Sequence, residues 1–298
     1  MRGIGAVGRD LVNLMDAQEH RGADSTGFAV YGPPRDVGYV LRGIGFDKIQ
    51  MDADLADFTN ILRDHGSDLL SDPKIVQDAN KHYCFRVEIK DPTDLAAWVA
   101  DADELTDRIE IQSCGRSLEI IKDMGGSAEV AEKHSVHDMQ GTHGLGHARL
   151  ATESSVLPNA SHPFWARPFS DVAIVHNGQI TNYWIMRREM ERKGHRFMSN
   201  CDSELLAVYT AHNLANGITL EQSLRNSIEE IDGVFTYLVA TKDQLGMAKD
   251  TMAAKPLVLY ESDDLIAMAS EEVAIRAILP QEIDTYDPYD EEVRVWQA

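Results

Sequence analysis

The chain has 298 residues, 43% of them hydrophobic, which is enough for a packed core in one large domain or two ordinary ones and excludes an intrinsically disordered protein. Its formal net charge is -21, from 49 acidic residues against 28 Lys and Arg, and a field of that sign repels phosphate backbones and anionic bilayers, which argues against nucleic-acid and membrane-surface roles. Arg outnumbers Lys, and a heavily acidic, lysine-poor surface is what a salt-rich cytoplasm favours. Cys84, Cys114 and Cys201 form no C-x-x-C pair and no even disulfide framework, which points to a reducing compartment. With no apolar leader and no run near the ~20 apolar residues of a membrane span, the expectation is a soluble, cytoplasmic protein.

In chain order, residues 27–45 alternate apolar and polar around Gly32-Pro33-Pro34 and predict a hairpin. From 46 to 140 the pattern is mixed, and the sequence predicts an inserted α+β subdomain with strands at 85–89 and 109–112 around a helix at 95–102. Strands follow at 145–150 and 172–176, then helices at 184–193, 203–214 and 220–231. Strands at 234–240, 256–260 and 265–269 and a short helix at 272–279 complete the series. Strands and helices come in blocks, so antiparallel sheets with helices outside are expected rather than a doubly wound parallel sheet.

Two motifs attract attention and fail. Gly3-Ile4-Gly5-Ala6-Val7-Gly8 matches G-x-G-x-x-G, but no strand precedes it and no βαβ unit surrounds it, so it is not a dinucleotide site. His134, His137, His143 and His147, with Asp138, have spacings that imitate a metal site but lack a cysteine, and no metal is expected from them.

The informative set has four parts. Glu19 to Gly27 (E-H-R-G-A-D-S-T-G) is a charged turn entering a strand, and Gly144 to Thr152 (G-L-G-H-A-R-L-A-T) is a strand that delivers Arg149 just before a small-residue bend. The third part is Asn159 to Phe164 with the tip His176-Asn177-Gly178-Gln179-Ile180-Thr181-Asn182. The fourth is Asn200-Cys201-Asp202-Ser203-Glu204, which opens a helix with Asp202 at or near its N-cap. Asn-Gly is a common hairpin turn; an Asn amide and a glycine N–H at a strand tip also make the layout of an oxyanion hole. Arg21 and Arg149 have an ordinary reading as ion-pair residues, and Asp202 as a cap. Together the parts fit one ligand. A guanidinium suits an α-carboxylate, a carboxylate suits an α-ammonium, and the Asn-Gly donors suit a carbonyl becoming tetrahedral, so the ligand would be an amino acid with an amide side chain.

The order R-G-x-D-S-x-G, G-H-x-R-x-A-T, H-N-G-x-I-x-N and D-S-E resembles the class II glutamine amidotransferases, which are N-terminal-nucleophile hydrolases. The likeness runs from about Leu11 to the end, outside much of 46–140, and is greatest to stand-alone glutaminase subunits of the glutamate-synthase-like and N-methylglutamate-synthase-like type. The resemblance implies a four-layer αββα sandwich. It assigns Arg149 to the substrate carboxylate, Asn177 and Gly178 to the oxyanion hole and Asp202 to the substrate ammonium, with Arg21, His147 and Thr152 as further substrate-binding positions. It implies glutamine as substrate and a synthase partner that takes the ammonia and carries FMN and iron–sulfur centres, with no cofactor on this chain.

The resemblance also requires a cysteine exposed as the first residue, whose thiolate attacks the glutamine amide while its own α-amine accepts the proton. Position 2 is Arg2. Cys201, beside Asp202, has no free α-amine and reads as a packing residue, and Cys84 and Cys114 fall in the 46–140 segment. Two explanations stand: a true loss, leaving a glutamine-binding or scaffold subunit, and a start that omits an upstream strand opening with Met-Cys-Gly-Ile or similar. Ile4, Val7, Leu11, Leu14 and Met15 follow a helical spacing almost back to Met1, and the sequence reading therefore favours an omitted strand. An asparagine-synthetase-like assembly is disfavoured, because no ATP-binding domain follows.

Overall fold

Strand β1 (Ser25–Tyr31) is buried along its whole length and separates two apolar layers: Phe28 and Val30 face one, Ala29 and Tyr31 the other. The structure, a computed structural model, describes residues 3–77, 81–149 and 160–298. Before β1 comes α1 (Val7–Asp16), and after it β2 (Tyr39–Gly45), α2 (Met51–Asp64), β3 (Lys74–Gln77) and β4 (Tyr83–Ile89). Next are α3 (Leu95–Ala102), β5 (Ile109–Gly115), β6 (Leu118–Met124), α4 (Ser127–Lys133), β7 (His143–Arg149) and β8 (Phe164–Trp165). The rest is β9 (Ala173–Ile180), α5 (Tyr183–Arg192), α6 (Asp202–Ala215), α7 (Leu220–Glu230), β10 (Gly233–Ala240), β11 (Gln244–Lys249), β12 (Val258–Glu261), β13 (Ile266–Ala269), α8 (Glu272–Ile278) and β14 (Val293–Gln297).

Two antiparallel sheets face each other. One has the order β6-β1-β7, the other β14-β11-β10-β9-β8. Ala29, Tyr31 and Leu145 from the first meet Ala173, Val175 and Ala240 from the second in a shared apolar layer, and the Tyr31 hydroxyl donates to the Ala240 carbonyl at 2.7 Å across it. On the outer face of the first sheet α1 and α4 bury Val7, Leu11, Met15 and Val130 against Phe28 and Val30. On the outer face of the second, α5, α6 and α7 cover Ile174, Phe235, Tyr237 and Val239. The result is the four-layer αββα sandwich of an α+β fold.

The predicted hairpin at 27–45 does not form. β1 takes its partners from β6 and β7, while β2 pairs with β4 and β5 in a third sheet of order β3-β4-β2-β5. β4 and β5 both run antiparallel to β2, so they are parallel to each other and α3 makes the crossover of a split βαβ unit. Within 46–140, α2 to β5 build this smaller sheet, whereas β6 and α4 join the sandwich. The two parts are tied at Asp171, whose carboxylate accepts the backbone N–H groups of Arg116, Ser117 and Leu118 at 3.1, 2.8 and 2.8 Å. Among the described residues no helix is long and apolar enough to cross a membrane.

Candidate active site

β9 does not stop at His176 as the sequence predicted. It continues through Asn177 and Gly178 to Ile180, with Asn177 opposite Thr236 and Gly178 opposite Phe235 of β10. The Asn-Gly pair is therefore held in a sheet and is not a turn, which removes the hairpin reading. β8 covers only Ala173 and Ile174, so among the described residues no strand of this sheet pairs with Asn177 and Gly178 on the side away from β10. Gly178 has φ +149, and a Cβ there would lie 2.1 Å from the Val234 carbonyl oxygen and 2.7 Å from Phe235 Cα, so only glycine fits. Among the described residues the Asn177 side-chain amide makes no hydrogen bond.

β7 brings the second half. Its pairing with β1 places Arg149 opposite Ser25 and His147 opposite Gly27. Arg149 is held by a 2.7 Å hydrogen bond from Nη1 to the Ala160 carbonyl. His147 Nδ1 lies 3.3 Å from His162 Nδ1, with the two rings 4.1 Å apart. Arg21 sits on a single 3-10 turn, Glu19–Arg21, and donates to Glu271 at 2.8 Å.

Arg21, His147, Arg149, Asn177 and Gly178 all line one cavity of about 420 Å³, together with His162, His176 and a rim from Met268 to Ser270. Asp202 is not on its wall. It is the first residue of α6, with Cys201 in the cap position, and its Oδ2 accepts the backbone N–H of Ile180 at 2.8 Å. Thr152 and Arg2 lie outside the described residues.

The cavity is rich in neutral histidine. His176 donates or accepts through Nδ1 with Ser203 Oγ at 2.8 Å, while its Nε2 and that of His162 are buried without a hydrogen-bond partner among the described residues. Burial pushes the pKa of His147 and of His176 down to about 4 and that of His162 well below its ordinary value, so all three are uncharged near neutrality. The cationic groups of the site are then Arg21 and Arg149. Sequence reasoning missed His162 and His176 as wall residues, although both lie inside motifs it quoted; the contributions of Thr236 and Met268 come from tertiary contact alone.

Among the described residues no cysteine is on the cavity wall. Cys84 and Cys114 are buried elsewhere, and Cys201 lies behind Asp202 with its thiol pKa raised by burial. The four histidines from 134 to 147 do not come together: His143 stacks on Tyr31 and bonds the Thr241 carbonyl, His147 lines the cavity, and His134 bonds Asp123. In the G-x-G-x-x-G stretch Gly8 already belongs to α1 and donates to the Met139 carbonyl, so the motif packs a helix.

Comparison with known proteins agrees with this geometry. A family model described as the glutamine amidotransferase domain matches residues 147–277. The chain is 36% identical over 297 residues to a putative glutamine amidotransferase of Methanothermobacter thermautotrophicus, covering 98% of this chain and 95% of that one. It is 32% identical to the glutamine amidotransferase-like protein GlxB of Rhizobium meliloti, covering 98% and 89%. Among solved structures it matches the glutamine phosphoribosylpyrophosphate amidotransferase of B. subtilis with a TM-score of 0.60 at 16% identity, a likeness of fold that covers 97% of this chain and 44% of that one. On the fold, the ordered motifs and these full-length relatives, the chain belongs to the class II glutamine amidotransferases.

Proposed function

We propose that the cavity binds L-glutamine and that the chain is the glutaminase part of an assembly that passes ammonia to a synthase partner of the glutamate-synthase-like type. The observation that carries this reading is that Arg149 of one sheet and Asn177 and Gly178 of the other open onto the same cavity. Arg149 would hold the α-carboxylate, and the Asn177 amide with the Gly178 N–H would receive the oxyanion formed when the amide carbon is attacked. Asp202, fixed beside β9 by the Ile180 N–H, supplies the negative charge for the α-ammonium. His147, Arg21 and Thr152 complete the substrate set, and FMN and iron–sulfur centres belong to the partner.

The reaction needs a thiolate to attack, release of ammonia, and hydrolysis of the thioester by water to give glutamate. Among the described residues no thiol lines the cavity, so a polypeptide of just residues 1–298 is expected to bind glutamine without turning it over. Calorimetry with glutamine and glutamate, alongside an ammonia-release assay, tests both halves. Absence of glutamine binding overturns the substrate assignment; turnover by this polypeptide overturns the inactivity and points to Cys201.

The same lack of a cavity thiol favours a second reading, a non-catalytic glutamine-binding or scaffold subunit. The two separate on the protein purified from its native cells: glutamine hydrolysis by that material supports the glutaminase, and binding without hydrolysis supports the scaffold.

A further inference from the structure

Outside the cavity, where β4 of the smaller sheet meets β6 of the sandwich, a second set of chemistry-bearing side chains is buried. His82 immediately precedes β4, Cys84 is the second residue of that strand, and both side chains reach the same carboxylate. Both are 6% exposed, and they point at Asp123, which is fully buried. His82 Nε2 lies 3.0 Å from Asp123 Oδ1 and Cys84 Sγ 3.9 Å from Oδ2, and the three donor atoms fall within 4.8 Å of one another. His134 Nε2 is 2.8 Å from Oδ2, and Lys133 Nζ is 2.5 Å from the same oxygen.

We propose that His82, Cys84 and Asp123 form a zinc site, with His134 orienting the carboxylate. An imidazole, a thiol and a carboxylate together are a mixed N, S, O set of the softness that suits zinc; magnesium and calcium take oxygen alone. Zinc bonds of about 2.0–2.3 Å in a tetrahedron set neighbouring donor atoms roughly 3.3–3.7 Å apart. The 3.0 Å from His82 to Oδ1 and the 3.9 Å from Cys84 to Oδ2, measured to the two oxygens of one carboxylate, lie on either side of that range. Residue pattern alone does not reveal this set, because the histidines at 134 to 147 lack a cysteine and the fold supplies one from β4.

Lys133 is the competitor. In the metal-free arrangement its ammonium neutralises Asp123; zinc binding replaces it, and the Cys84 thiol gives its proton to solvent as the Zn–S bond forms. The Lys133 side chain is 17% exposed, so it has a path to water when displaced. The metal would bridge the smaller sheet and the sandwich, adding to the ties at Asp171 and at Glu119, which Arg42 and Arg86 hold.

The test uses the full chain, equilibrated with Zn²⁺ and then desalted. About one zinc per chain is expected by elemental analysis, with a raised unfolding temperature. Co²⁺ should give a thiolate-to-cobalt charge-transfer band that C84S abolishes. H82A should weaken zinc binding by about tenfold or more, and K133M should tighten it. Less than about a tenth of a zinc per chain overturns the proposal. So does a C84S protein that keeps the metal and the cobalt band, or a K133M protein that binds no more tightly than the parent. If C84S fails to fold, the presence or absence of the charge-transfer band in the unmodified chain decides.

Discussion

The carboxylate of Asp202 accepts the backbone N–H of Ile180 at 2.8 Å, which ties the first residue of α6 to β9 two residues beyond Gly178. Asp202→Asn keeps an acceptor oxygen and removes the charge. The unfolding temperature should then move by less than about 4 °C. Glutamine affinity should fall by about tenfold or more, the loss of an opposite charge held close behind the cavity wall. An unchanged affinity would reduce Asp202 to a strut.

Arg149 should separate charge from shape. Arg149→Lys keeps the cation and loses the planar fork, with an expected loss of about tenfold in glutamine affinity. Arg149→Met removes both, with an expected loss of about 30- to 100-fold, equivalent to 2–3 kcal/mol. Equal affinities for the two variants and the parent would remove Arg149 from the substrate contacts.

Gly178→Ala is expected to damage the fold as well as the site. The added Cβ meets the Val234 carbonyl oxygen and the Phe235 backbone, neither of which is a flexible side-chain end. A destabilisation of about 2–4 kcal/mol is expected in urea unfolding. A variant as stable as the parent would mean that β9 and β10 separate more readily than their pairing implies.

Acid should unfold the protein through its buried histidines. His147 and His176 are held at about 4 by burial, against an ordinary value of 6.5, so the unfolded chain takes up protons first as pH falls. Their neutral-state stability is complete above 6.5 and is lost progressively as pH drops from 6.5 to 4. Each contributes on the order of 3 kcal/mol across that window. Replacing either by Gln should flatten the dependence of denaturant midpoint on pH between those limits; an unaltered slope would show that the ring is not buried in neutral form.

Much of this was legible from residue pattern. The helix at 95–102 and those after β9 were found because their apolar residues recur at helical spacing on faces that do pack. β6 was missed because Lys122 and Asp123 read as surface residues and are buried instead, Lys122 against the Ser161 carbonyl and Asp123 among His82, Lys133 and His134. The hairpin at 27–45 failed for a different reason. A strand buried on both faces carries no signal of which strand it pairs with, and β1 takes partners far along the chain. At the site, motif order located Arg149 and the Asn177-Gly178 pair, but only the fold placed Asp202 off the cavity wall and brought His162 onto it.

The carboxylate holder and the oxyanion donors stand on opposite jaws of a caliper. Arg149 moves with β7, and Asn177 and Gly178 with β9, so the gap they present to a ligand is gauged by the thickness of what lies between the two sheets. Leu145 and Ala173 are part of that spacer. A methylene added or removed there would retune the grip on a ligand that neither residue touches, so drift in the interior reaches specificity as directly as change in the lining does.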